Sequence, residues 1–165
     1  MTSPPADTQA PPSSDGRADS PTESSDYGAL NLTYLTLFAA VVAATSRRAD
    51  IRGRDLPSLG LATFALSKTV AKEKVMTWVR EPFVEESEEH RPVAPRGEGL
   101  RHAVGELLTC TRCAGAWAAL AVVGVRAASP RGGRVVTAVL ASAGINDFLQ
   151  AGFLYATERA NAVAG

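Results

Sequence analysis

Two long stretches almost without charge flank a short arginine-rich turn near the C-terminal end of this chain, and they limit the fold more than any other feature. From Cys113 to Val125 no residue is charged, and from Val135 to Thr157 only Asp147 is, among twenty-three residues. A helix needs about 20 apolar residues to cross a hydrocarbon core about 30 Å thick. The two arms therefore predict an Ala- and Gly-rich helical hairpin of membrane length. Small residues four apart, such as Ala114 with Ala118 and Gly115 with Ala119, would let helix backbones approach closely, which is how helices associate in lipid.

A third uncharged run, Tyr27 to Ser46, has an aromatic residue at one end and Arg47-Arg48 at the other. Interfacial aromatics and snorkelling bases flank membrane spans in this way. It predicts a first transmembrane helix over 29–46, followed by a basic loop, 47–55, holding Arg47, Arg48, Arg52 and Arg54. The positive-inside rule puts that loop in the cytoplasm and the preceding tail outside. That tail, 1–28, carries five acids against Arg17 and is rich in Pro, Ser and Thr. It cannot bury enough surface to offset its ordering entropy and is expected to be disordered. Being long and acidic, it does not resemble the short basic start of a cleaved secretion signal.

Residues 56–165 form the remaining membrane domain. Asp55-Leu56-Pro57 has the form of a helix start, with Pro in the first turn where its missing N–H costs little. The uncharged run that follows ends at Ser67 and is too short to span alone. Val70, Val75, Trp78, Val79 and Phe83 then recur among Lys and Glu at roughly helical spacing. They predict an amphipathic helix lying in the headgroup region, ended by Pro82. The stretch 84–99 reads as an acidic, solvated loop in which Glu85, Glu86, Glu88 and Glu89 are surface charges and His90 is a solvated side chain. The expected fold class is thus all-α: an integral membrane protein with about three transmembrane helices, including the C-terminal hairpin, plus an interfacial helix. With Leu56–Ser67 only half-buried, the Arg126, Arg131, Arg134 turn falls outside, against the positive-inside rule.

The 17 basic and 17 acidic side chains cancel, which removes the electrostatic basis for nucleic-acid binding. No Gly-rich phosphate loop, nucleophile–base pair or usefully spaced pair of carboxylates occurs, so the usual hydrolase and nucleotide-enzyme signatures are missing. What chemistry there is sits at Cys110 and Cys113. A thiolate pair at a helix N-terminus beside Arg112 would favour thiol exchange or metal binding. One Cys-x-x-Cys pair is half of a four-ligand zinc site, so zinc or iron would need further ligands, with His102 as a weak third or a second protomer's pair. Packing without chemistry is the remaining role. Asp147 and Arg112 are nearly equidistant from the turn near Pro130, and an unpaired charge in lipid is costly. They are expected to form a polar pair.

The ordered set Leu61-Ala62-Thr63-Phe64, Arg80-Glu81-Pro82-Phe83 and Gly105-Glu106-Leu107-Leu108-Thr109-Cys110-x-x-Cys113-x-Gly115-x-Trp117 resembles the small bacterial membrane-protein family catalogued as domain of unknown function 1360. The resemblance covers about residues 56 to 157. It implies membrane location and a preserved cysteine pair, and no activity. The chain departs from the family pattern at Ala65 or Ser67, where an arginine is more usual, and at Thr111-Arg112, where an aromatic or Pro is. A bacterial cell-membrane protein follows, acting through helix packing and contacts with lipid, with its own copies or with a membrane partner. A membrane thiol-redox or metal-binding protein is the alternative.

Overall fold

The computed structural model describes residues 22–46 and 51–164. Most of the expected disordered tail lies outside the described residues, as do Arg47 and Arg48. The elements in chain order are α1 (Ser24–Thr45), α2 (Leu56–Lys72), α3 (Thr77–Arg80), β1 (Val84–Glu86), β2 (Pro92–Pro95), α4 (Gly99–Thr109), α5 (Thr111–Ala128) and α6 (Pro130–Ala164). Most of the described residues are helical.

Helix α1 begins five residues before the expected 29, because Asp26 accepts the Glu23 N–H at 2.9 Å and closes the first turn. It is apolar on every side and buries no residue. Two of its hydroxyls bond back to their own helix: Thr33 and Thr36 donate to the carbonyls of Ala29 and Leu32 at 2.8 and 2.7 Å. A helix apolar all round belongs in a core or in lipid, and hydroxyls satisfied within the helix suit lipid.

Helix α2 corrects the sequence expectation most. Leu56 to Lys72 is one continuous helix, and it is the central element, packed between α5 and α6. Leu59, Ala62, Ala65, Ser67 and Ala71 are buried along it. The expected interfacial helix over 70–83 does not exist as one piece. Val70 lies in the last turn of α2, the chain leaves the helix at Glu73, and a 3-10 turn (Lys74–Met76) leads into the single turn α3. Trp78 is exposed.

The stretch expected to be a solvated loop over 84–99 is instead an antiparallel hairpin. Val84 pairs with Pro95 and Glu85 with Ala94. Val84 is fully buried, and His90 occupies the turn with a positive φ of 58° and an exposed side chain. Gly105 fixes the seat of this hairpin on α4, since a Cβ there would stand 2.9 Å from the Pro95 Cβ and closer still to the Phe83 carbonyl.

The C-terminal hairpin is present, with Ser129 as its whole connection. Pro130 opens α6, and the Ser129 hydroxyl accepts the Gly132 N–H at 3.3 Å, the capping arrangement in which Pro suits the first helical position. Ala114, Ala118 and Val122 form the buried stripe of α5. Gly115 faces open space. Gly144 is where α6 approaches α2 closely: a Cβ there would lie 2.7 Å from the Leu61 carbonyl oxygen.

Contacts along the helices give their directions. Asp55, Ser58 and Leu59 lie with Arg134, Thr137 and Ala138, Leu61 with Gly144, and Lys68 with Asp147, so α2 and α6 run parallel. Tyr27 and Tyr34 lie with Trp117, and Val41 with Gly124, so α1 and α5 run parallel to each other and opposite to the first pair. Arg126 reaches Asp55 at 3.9 Å. The 51–55 and 126–134 turns therefore share one end of the bundle, and Cys110, Lys72 and α4 share the other. Helices α1 and α6 are long and apolar enough to cross a membrane, and the bent pair α4 and α5 makes a third candidate.

Candidate functional site

The thiol end is built on a break between α4 and α5. Cys110 leaves helical geometry (φ −101°, ψ 108°), so the two helices meet at 88°. Its sulfur takes over as the cap of α5 by accepting the Cys113 N–H at 3.2 Å. The Cys113 thiol donates to the same sulfur with the two atoms 2.6 Å apart, and both cysteines are free of disulfides. Beside them lies a groove of about 390 Å³ between α1, α4 and α5, lined by Tyr27, Asn31, Tyr34, Glu106, Cys113 and Trp117 among others. The Tyr27 hydroxyl donates to Glu106, and Tyr34 meets Trp117 edge-on at 5.4 Å. These contacts pin the first helix to the bend.

His102 is not brought to the thiols as a ligand. Its Nδ1 lies 3.1 Å from the Gly97 carbonyl and its Nε2 3.8 Å from Glu106. Among the described residues no three His, Cys, Asp or Glu side chains are grouped to hold a metal ion. What the bend does provide is a sulfur-capped helix start with a second sulfur against it.

The polar pair expected between Arg112 and Asp147 is not formed. Arg112 is exposed in the first turn of α5, and Asp147 is held by Lys68 at 3.0 Å, which also reaches Glu73 at 3.3 Å. Counting from the turn assumed that the two hairpin arms stay side by side along their whole length. At the depth of Asp147 the neighbour of α6 is α2, and α2 supplies the cation.

A second polar centre was not anticipated. Arg80 is fully buried. Its Nε donates to Glu86 at 3.0 Å, and its Nη1 donates to the carbonyls of Val70 and Glu73 at 2.8 and 2.9 Å. Thr77 donates to the other Glu86 oxygen at 2.8 Å. The last carbonyls of a helix lack intrahelical donors, and here one guanidinium serves Val70 and the following Glu73 and ties the end of α2 to α3 and β1. Glu86 is thus a largely buried anchor, its side chain 9% exposed, and not one of a row of surface charges. The signal lay in the Arg80-Glu81-Pro82-Phe83 element, which as sequence marks only a resemblance.

These features define a class before any comparison. Among the described residues, eight of the eleven buried apolar ones are alanines (Ala62, Ala65, Ala71, Ala103, Ala114, Ala118, Ala127 and Ala141), whereas Leu32, Leu35, Phe38, Val139, Phe148 and Leu149 face outward. This is a small helical protein with a small-residue interior and a large apolar exterior. The chain belongs to the family described as protein of unknown function DUF1360, whose pattern matches residues 58–153, more than half of its length. It is similar to sporulation protein YjcA of Bacillus subtilis (strain 168), with 30% identity over 107 residues, which is 61% of this chain and 91% of that protein. No solved structure matches it. The family region contains the Arg80–Glu86 anchor, the cysteine bend and the Lys68–Asp147 bridge, and leaves α1 outside.

Proposed function

We propose that this chain is a multi-pass protein of a bacterial cell membrane that acts through helix packing and protein contacts. The inverted distribution of its apolar side chains carries the reading. A water-facing protein rarely exposes large contiguous apolar surface, yet Leu32 is 67% and Val139 63% exposed on long, mainly apolar helices, while the buried apolar residues are mostly alanines. In lipid the same arrangement is favourable, because close backbone packing replaces the hydrophobic drive.

The parallel course of α2 and α6 supports four crossings, by α1, α2, α5 and α6, with α4 lying across one end. Both arginine-rich turns then fall on one side, which the positive-inside rule assigns to the cytoplasm. The Lys68–Arg101 stretch, with seven bases and seven acids, falls outside. At 17 residues, α2 sits at the short limit for a span of about 17–25 residues. The likeness to a protein named for sporulation gives the process in which partners would first be sought.

Carbonate washing tests integration: the protein stays with the membranes, and release of its bulk into the supernatant would overturn the reading. Single cysteines at Gly53, Ser87 and Ser129 on a cysteine-free background test the crossings. Gly53→Cys and Ser129→Cys are expected to label from the same side, with Ser87→Cys from the other. Labelling of Gly53→Cys with Ser87→Cys would return α2 to a half-buried segment.

A further inference from the structure

At the arginine-rich end, where α2 and α6 begin and α5 ends, a cavity of about 310 Å³ has Asp55, Ser58, Arg126, Arg134 and Thr137 as its polar lining. We infer that it binds a phosphate group, carried by an anionic lipid headgroup or by free phosphate.

The acceptors of the lining are already engaged, and Arg134, the Thr137 hydroxyl and part of the Arg126 guanidinium remain as donors. The Asp55 carboxylate accepts the Arg52 N–H at 3.0 Å and faces Arg126 at 3.9 Å. Ser58 donates to the Asp55 carbonyl at 2.9 Å, and Arg126 donates to the Pro130 carbonyl at 2.9 Å. Arg126 retains further N–H groups, and its side chain is only 13% exposed. Arg134 has no carboxylate partner among the described residues. Thr137 is 6% exposed, and its hydroxyl is buried without a hydrogen-bond partner. A buried hydroxyl left unpaired is costly, so a group that supplies an acceptor there is favoured. Two guanidiniums against one carboxylate leave the lining with one net positive charge. A tetrahedral anion with several acceptor oxygens meets these donors, and arginine pairs with phosphate through two parallel hydrogen bonds.

The place fits the lipid source, because basic pockets between transmembrane helices on the cytoplasmic side take anionic headgroups. That source rests on the membrane reading above; the phosphate chemistry does not.

The full chain in a non-ionic detergent is titrated with phosphatidylglycerol, phosphatidylcholine or inorganic phosphate, and bound species are counted by native mass spectrometry. Phosphatidylglycerol is expected to bind about tenfold more tightly than phosphatidylcholine, and Arg134→Gln and Thr137→Val are each expected to weaken it about tenfold. Arg131→Gln, on the same turn but outside the cavity lining, is expected to leave it unchanged. Binding of inorganic phosphate that Arg134→Gln abolishes, without preference between the lipids, would assign the site to free phosphate. Equal retention of both lipids without phosphate binding would overturn the site, as would an equal loss in Arg131→Gln. If Arg134→Gln does not fold, Thr137→Val decides alone, since valine keeps the shape and removes the donor. Failure of the membrane reading appears separately, as release by carbonate.

Discussion

At the scale of single residues, the Lys68–Asp147 bridge and the Gly144 contact are the points at which α6 is fixed to α2. Both partners of the bridge are about one-third exposed, so their coupling is screened and modest. A double-mutant cycle on Lys68→Ala and Asp147→Ala, read from thermal unfolding in detergent, is expected to return about 1 kcal/mol. Arg112→Ala in place of Lys68→Ala should give additive losses, and coupling there would restore the hairpin register that residue counting suggests. Gly144→Ala places a methyl 2.7 Å from the Leu61 carbonyl and is expected to cost about 1–3 kcal/mol, the usual range for overpacking. Gly115→Ala meets nothing within 4 Å and should gain up to about 1 kcal/mol from helix propensity. Equal melting temperatures for the two variants would mean that the α2–α6 approach is looser than described.

At the scale of elements, the break at Cys110 makes α4 and α5 two helices with separate jobs. If the sulfur serves as a cap, Cys110→Ser keeps the acceptor and should unfold like the wild type. Cys110→Ala removes it and should cost about 1 kcal/mol. A matching loss in both variants would point to thiol chemistry or to packing of the sulfur itself. The helices were legible where charge is missing over a long run, as in α1 and in both arms of the hairpin. Legibility failed where local pattern and tertiary role diverge. Lys68 and Lys72 follow an uncharged run closely and suggest that α2 stops short, yet Lys68 is answered by Asp147 from α6, and Lys72 donates to the Thr109 carbonyl at 3.2 Å. Arg80 and Glu86 look like two charges among many, because nothing local reveals that each completes the other. The cysteine pair was legible as a pair, and its part in capping α5 is visible only once the bend is seen.

For the whole molecule, the family region from α2 onward forms a packed unit, and α1 lies against it without burying any residue of its own. Removal of residues 1–50 is therefore expected to leave a cooperative thermal transition in detergent for α2 to α6. Loss of that transition would show that the Tyr34–Trp117 and Tyr27–Glu106 contacts organise the bend as well as pin α1 to it. Helix α6 has a larger geometrical consequence. Its 35 residues measure about 50 Å at 1.5 Å per residue, and even the steepest common tilt of about 40° shortens its projection only to about 40 Å. In the proposed membrane topology a bilayer core about 30 Å thick cannot cover that length, and the mismatch would be relieved at one end. Arg131 and Arg134 would hold the start of α6 at a polar surface, which leaves its far end to emerge. The turn carrying Glu158 and Arg159 would then stand clear of the acyl chains, with Phe153, Leu154 and Tyr155 at the depth where the bilayer gives way to water.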